Sequence, residues 1–142
     1  MSHKVYQTLR EVFVLLEFGN RRTLAPFELD NLEYGTLLLL DRETGWRLVD
    51  LRERLLCDKS KMTRIIDYLE GRGLVERHPD PDDRRAWQVF LTERGSALLK
   101  GAQAAFLESL RGRCAVLDAI QQEQLNTLLE TLRANLSQTV ND

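Results

Sequence analysis

The sequence predicts a mainly α-helical fold interrupted by one small β-hairpin. Three observations carry this. Proline stands only at Pro26, Pro79 and Pro81, so long stretches are free of helix breakers. Apolar residues recur at three- and four-residue intervals through both ends of the chain. The pattern switches once, between Leu74 and Thr92, to short runs carrying Val, Trp, Phe and Thr, which suit a pleated surface.

The elements follow in order. Val5, Leu9, Val12, Phe13 and Leu16 mark one face of a first helix from about residue 4 to 22, which the proline-containing stretch TLAPFEL ends. Asp30 and Glu33 form a capping-box pair ahead of LEYGTLLLL, apolar almost all round and therefore the buried centre. A short third helix, about 49–56, turns Leu48, Leu51 and Leu55 inward. Asp58 is a good N-cap for the fourth helix, and Gly71 or Gly73 supplies the left-handed residue that ends it. Residues 74–78 and 86–92 make the hairpin, with DPDDRR as its loop. Thr92 caps a long fifth helix. Leu125, Leu128, Leu129, Leu132 and Leu136 stripe a sixth, from about 121 to 139.

Totals narrow the function classes. A length of 142 residues favours one domain with a small core, part of whose apolar surface a second copy would cover. Net charge is −2 and pI about 5.8, so any nucleic-acid role must rest on local cations. Two distant cysteines give no disulfide framework. No signal-type segment or membrane-length apolar run is evident, and the reading is a soluble, cytoplasmic protein with no membrane partner. His3 and His78 stand isolated, and neither a calcium-loop spacing nor a glycine-rich phosphate loop occurs. The sequence therefore predicts no enzyme, no metal and no cofactor.

Two helices joined by a tight turn and followed by a hairpin form a winged helix-turn-helix, whose second helix can lie in a DNA major groove. On that helix Met62, Ile65, Ile66 and Leu69 share an inward face. The opposite side carries Ser60, Arg64, Asp67 and Gly71, with Lys61 and Thr63 flanking and Lys59 at the start. Hydroxyls and cations there donate to guanine edges or phosphates. Yet the stretch Asp58–Arg85 holds seven Lys/Arg (59, 61, 64, 72, 77, 84, 85) and seven Asp/Glu (58, 67, 70, 76, 80, 82, 83), so composition alone does not separate a reading face from a solvated one.

Residues 58–95, DKSKMTRIIDYLEGRGLVERHPDPDDRRAWQVFLTERG, resemble the winged helix-turn-helix core of the MarR family of bacterial transcription regulators. The DKS helix start, the LE-x-RGLV-x-R helix end, the DP-x-DRRA wing and the LT-x-x-G return carry the resemblance. It implies a single domain over 1–142, with a core at about 30–95 and dimerisation helices at about 4–22 and 93–139. It also implies a homodimeric repressor on a palindromic double-stranded operator, relieved by a small aromatic ligand. Lys59, Ser60, Lys61, Thr63, Arg64, Arg84 and Arg85 would bind DNA, with Arg85 entering the minor groove. Asp83 would pair with the Arg85 guanidinium and hold it ready, while Asp80 and Asp82 would build the turn and Pro81 would stiffen it. Phe13, Tyr34, Trp46 and Phe106 are the aromatic candidates for a ligand site, and each also suits the core. Leu56 stands where the family often has glycine. Cys57, beside the recognition helix, reads either as a small buried apolar residue or as a redox-sensing thiol. The rival class is an interaction module on the same fold that does not bind DNA.

Overall fold

The computed structural model describes residues 1–140. The chain forms two compact units, residues 1–107 and from Glu108 onward, and the boundary falls within one long helix.

In the first unit, α1 (His3–Leu24) packs on α2 (Asn31–Leu39) only from about Leu16 on; the amide of Asn31 donates to the backbone and carboxylate of Glu17. Earlier turns leave Val5, Val12, Phe13 and Leu15 uncovered. Phe13, at 62% exposure, is therefore not part of this core. A 3-10 turn, Ala25–Phe27, ends α1 at Pro26. The α2 start is a complete capping box: the Glu33 N–H donates to Asp30 Oδ1 at 2.7 Å and the Asp30 N–H to Glu33 Oε2 at 2.9 Å. Tyr34, Thr36 and Leu37 of α2 are buried, as the apolar run requires.

The chain then makes β1 (Trp46–Arg47), α3 (Leu48–Leu55) and α4 (Lys59–Gly71). Met62, Ile65, Ile66 and Leu69 of α4 are all buried against Leu37, Leu51 and neighbouring core residues. Fully burying such a side chain stabilises by roughly 1.5–3 kcal/mol, so this face fixes the roll of α4 about its axis. Asp58 caps α4 by accepting the Lys61 N–H at 2.8 Å. Gly73, at φ 72°, is the left-handed residue after it.

Strands β2 (Val75–Pro79) and β3 (Trp87–Leu91) form the hairpin in the register Val75↔Leu91 to Pro79↔Trp87. β1 adds a third, antiparallel strand on the other side of β3, with Arg47 opposite Gln88, giving the order β1-β3-β2. The sequence predicts only a hairpin here; a two-residue strand has no periodicity to read, and its partner lies some forty residues on. α5 (Glu93–Arg113) starts at Thr92, whose hydroxyl donates to Gly73 O at 2.6 Å and accepts the Gly95 N–H at 2.9 Å.

The second unit comprises the end of α5, the link 114–118 with Cys114 half-buried, and α6 (Ala119–Val140). Asp118 and Gln121 cap α6 reciprocally. Its Leu125, Leu128, Leu129 and Leu136 are exposed and Leu132 is half-buried.

The turn between α3 and α4 stores strain. Leu56 takes φ 52°, ψ 46°, and the residue is 74% exposed, so packing does not offset the left-handed backbone. The conformation lets the Cys57 N–H reach Arg52 O at 3.0 Å, closing α3. Leu56→Gly is expected to raise unfolding stability by about 0.5–1 kcal/mol in urea titrations. A loss of stability instead would mean that the leucine side chain contributes packing the strain does not outweigh.

Candidate nucleic-acid interface

The neutral composition of residues 58–85 resolves into two groups once partners are assigned. Six of its seven acids are engaged within the fold. Asp58 caps α4. Asp67 and Glu70 both pair with Arg77, at 2.5 and 2.6 Å. Glu76 meets His78 at 3.0 Å. Asp80 meets Arg47, and Asp83 accepts a backbone N–H. Only Asp82 is left over.

The cations divide differently. Arg77, with only 18% of its side chain exposed, is spent on two carboxylates. Burial works against its charge, but the hydrogen bonds that it donates to Asp67 and Glu70 outweigh this and hold its pKa above the ordinary arginine value. Arg72 donates to Glu28 O at 2.8 Å and Phe27 O at 3.1 Å, while the Tyr68 hydroxyl donates to the same Glu28 oxygen at 2.7 Å. These bonds tie the C-terminal end of α4 to the α1–α2 connection. Lys59, Lys61, Arg64, Arg84 and Arg85 have no ion-pair partner among the described residues, and all five are exposed.

Arg64 lies on the side of α4 away from its buried face. Ser60 and Lys61 are exposed on the first turn and Thr63 is half-buried. The Asp58 carboxylate already takes one N–H of that turn, so anion binding near this end rests more on Lys59 and Lys61 than on the helix terminus itself.

At the wing tip, acids build the turn rather than oppose the arginines. Asp80 is buried, and its Oδ1 accepts the N–H groups of Asp82 and Asp83 at 2.8 and 3.2 Å. The Asp83 carboxylate accepts the Arg85 backbone N–H at 3.0 Å. The pairing foreseen between Asp83 and the Arg85 guanidinium is thus replaced by a backbone bond, because the tight turn brings the N–H, not the long fork, to the carboxylate. An arginine held by a carboxylate does exist here, but it is Arg47: its Nε donates to Asp80 Oδ2 at 2.6 Å. The Arg47 guanidinium, then the Asp82 N–H, hold the Asp80 carboxyl below the usual aspartate range. With the folded value below the unfolded one near 3.9, this stabilisation is present above the unfolded value. It is lost as pH falls through the folded value. In sequence Asp80 has the signature of a turn former only; its ion-pair partner, 33 residues away, leaves no local signal.

Cys57 is half-buried beside the α4 start and packs against the core. Among the described residues no His, Cys, Asp and Glu cluster has the makings of a metal site, and no helix is long and apolar enough to cross a membrane.

An outward-facing α4 braced by α3, beside a three-stranded sheet with a cationic tip, is a winged helix-turn-helix. The sequence profile of the MarR family matches residues 29–87. The HTH-type transcriptional regulator YhbI of Bacillus subtilis is 30% identical over 131 residues, covering 92% of this chain and 80% of that protein. BilQ, an HTH-type transcriptional regulator of Clostridioides difficile, is 32% identical over 78 residues, 55% of this chain and 53% of its own length. Among solved structures, Sco3205, a MarR family transcriptional regulator from Streptomyces coelicolor in complex with DNA, superposes with TM-score 0.85. That match is at 22% identity over 96% of this chain and 93% of the other. A mutant MarR of E. coli complexed with operator DNA superposes at TM-score 0.83 and 23% identity, over 92% and 94% of the two chains. The chain belongs to the MarR family. It is a transcriptional regulator of the helix-turn-helix type and not an enzyme.

Proposed function

We propose that the chain binds double-stranded DNA with sequence preference, as a homodimer, and represses transcription by occupying a palindromic operator. The observation that carries this reading is the sorting of charge: six of the seven acids between residues 58 and 85 are engaged within the fold, and five cations without an ion pair among the described residues are exposed on α4 and the wing tip. In the proposed complex Ser60, Lys61, Thr63 and Arg64 face the major groove, Lys59 meets phosphate, and Arg84 and Arg85 approach the minor groove. Asp83 shapes the Arg85 backbone. The uncovered apolar faces of α1 and of α6 support dimerisation through the chain ends, around a core at about 30–95. A cytoplasmic site of action goes with a DNA partner.

Relief by a small aromatic ligand rests on the family resemblance. Tyr34 and Phe106 stack on each other at 4.8 Å between ring centroids, and Trp46 packs against the core. These three rings therefore serve the core first, and an effector would have to displace packing to use them.

The test is a gel shift with the duplex upstream of this chain's own gene, against an unrelated duplex of equal length, over a range of salt. Preferential retention of the upstream duplex that weakens steeply with salt is expected. A folded protein that retains neither duplex at low salt would overturn the reading and favour an interaction module.

A further inference from the structure

We propose that Arg47 is a phosphate-binding residue for the DNA strand that crosses between α4 and the wing, and that buried Asp80 is the residue that positions it. The inference rests on the DNA-binding reading above and adds a contact that the helix and the wing tip do not supply.

The geometry begins with an open cleft of about 470 Å³ between the N-terminal ends of α3 and α4 and the wing. Its lining brings together cations from four separate places: Arg47 of β1, Arg52 of α3, Lys59 of α4 and Arg85 of the wing, with Trp87 alongside. The one acid among the lining residues, Asp83, is engaged with the Arg85 backbone N–H. A recognition helix in a major groove and a wing in the next minor groove are separated by a single sugar-phosphate strand. That strand must pass over this cleft.

Arg47 is the cleft cation whose side chain is fixed in advance. The Asp80 side chain is fully buried whereas that of Arg47 is 40% exposed, so the carboxylate anchors from below and the fork stands in the cleft. Only Nε is taken by Asp80, at 2.6 Å, which leaves Nη1 and Nη2 for a phosphodiester. Asp80 is itself immobilised by the Asp82 and Asp83 N–H groups, and the Gln88 amide adds a longer contact at 3.4 Å to the same oxygen that holds Arg47. A guanidinium held this way forfeits less rotamer freedom on meeting the strand than a free surface arginine does.

The experiment uses the full chain and fluorescence anisotropy on the upstream duplex and on an unrelated one, each titrated with salt, with thermal melts as a folding control. Arg47→Met is expected to weaken binding to both duplexes alike and to lower the slope of log affinity against log salt by about 0.9 per subunit. Arg47→Lys is expected to keep more of the slope yet bind more weakly than the parent, because an ammonium lacks the fork. Asp80→Asn removes a negative charge from beneath the cleft, so simple electrostatics would tighten binding; the positioning role requires that it weaken. That loss should largely vanish in the Arg47→Met background, whereas a merely structural effect on the wing turn would persist there. A parent that binds with strong salt dependence while folded Arg47→Met keeps the parental affinity and slope overturns this inference alone. A folded parent that binds neither duplex overturns the proposed function, and this inference with it.

Discussion

Arg64→Ala is expected to weaken binding to a cognate operator by about 1–3 kcal/mol per half-site and to relax preference at one base position, with little change in folding stability. The structural reason is separation of faces. Met62, Ile65, Ile66 and Leu69 carry the packing of α4, and Arg64 lies on the other side with no ion pair among the described residues to lose. Arg85→Ala is expected to weaken binding as well, but with a different signature. Its loss should be larger on A·T-rich flanks, where a narrow minor groove concentrates negative potential. Asp83→Asn is expected to have a much smaller effect, since an asparagine oxygen can still accept the Arg85 N–H that the carboxylate accepts now. Competition binding on operator variants with single base changes and altered flanks separates the three outcomes.

Gly95→Ala is expected to destabilise the fold by about 3 kcal/mol, near the upper end for overpacking a tight site. A Cβ at Gly95 would lie 1.9 Å from the carbonyl oxygen of Leu74, 2.9 Å from its carbon and 2.8 Å from Leu91 Cδ1. Backbone cannot step aside cheaply here. The Leu74 oxygen accepts the Thr92 N–H at 3.1 Å, and the Thr92 hydroxyl clamps Gly73 O and the Gly95 N–H together. Relief of the clash would therefore pull the start of α5 off the hairpin base. Gly101, further along the same helix, makes the opposite case. Its nearest neighbour would be Phe27 Cε1 at 3.5 Å, ordinary contact, so Gly101→Ala is expected to stabilise by up to about 1 kcal/mol through helix propensity. Urea melts of both variants test the pair; equal effects of like sign would contradict the packing account.

Much of this was legible in the chain because it is local. The inward face of α4, the Asp30–Glu33 box, the Asp58 and Thr92 caps and the placing of DPDDRR at a hairpin loop all follow from spacings of a few residues. Lys59, Lys61, Arg64, Arg84 and Arg85 are exposed, as their places on α4 and in the hairpin loop imply. What sequence did not disclose depends on contacts between distant segments. β1 exists only because β3 pairs with it. Asp80 reads in sequence as a turn former like Asp82, and its burial against Arg47 is a tertiary event. Phe13 has the spacing of a core residue, yet its part of α1 lies beyond the turns that pack on α2. Leu56 was visible as a departure from glycine, and the structure adds that it holds the left-handed conformation glycine would have eased.

In the proposed complex α4 and the wing read one duplex together, in two copies. Footprinting of the upstream duplex by the parent and by the Arg64→Ala, Arg85→Ala double variant tests it most directly. The parent is expected to protect two half-sites about 10 base pairs apart, centre to centre, on one face of the duplex, and a still-folded double variant is expected to lose that protection. Protection of the same sites by the double variant at the same concentration and salt would contradict it.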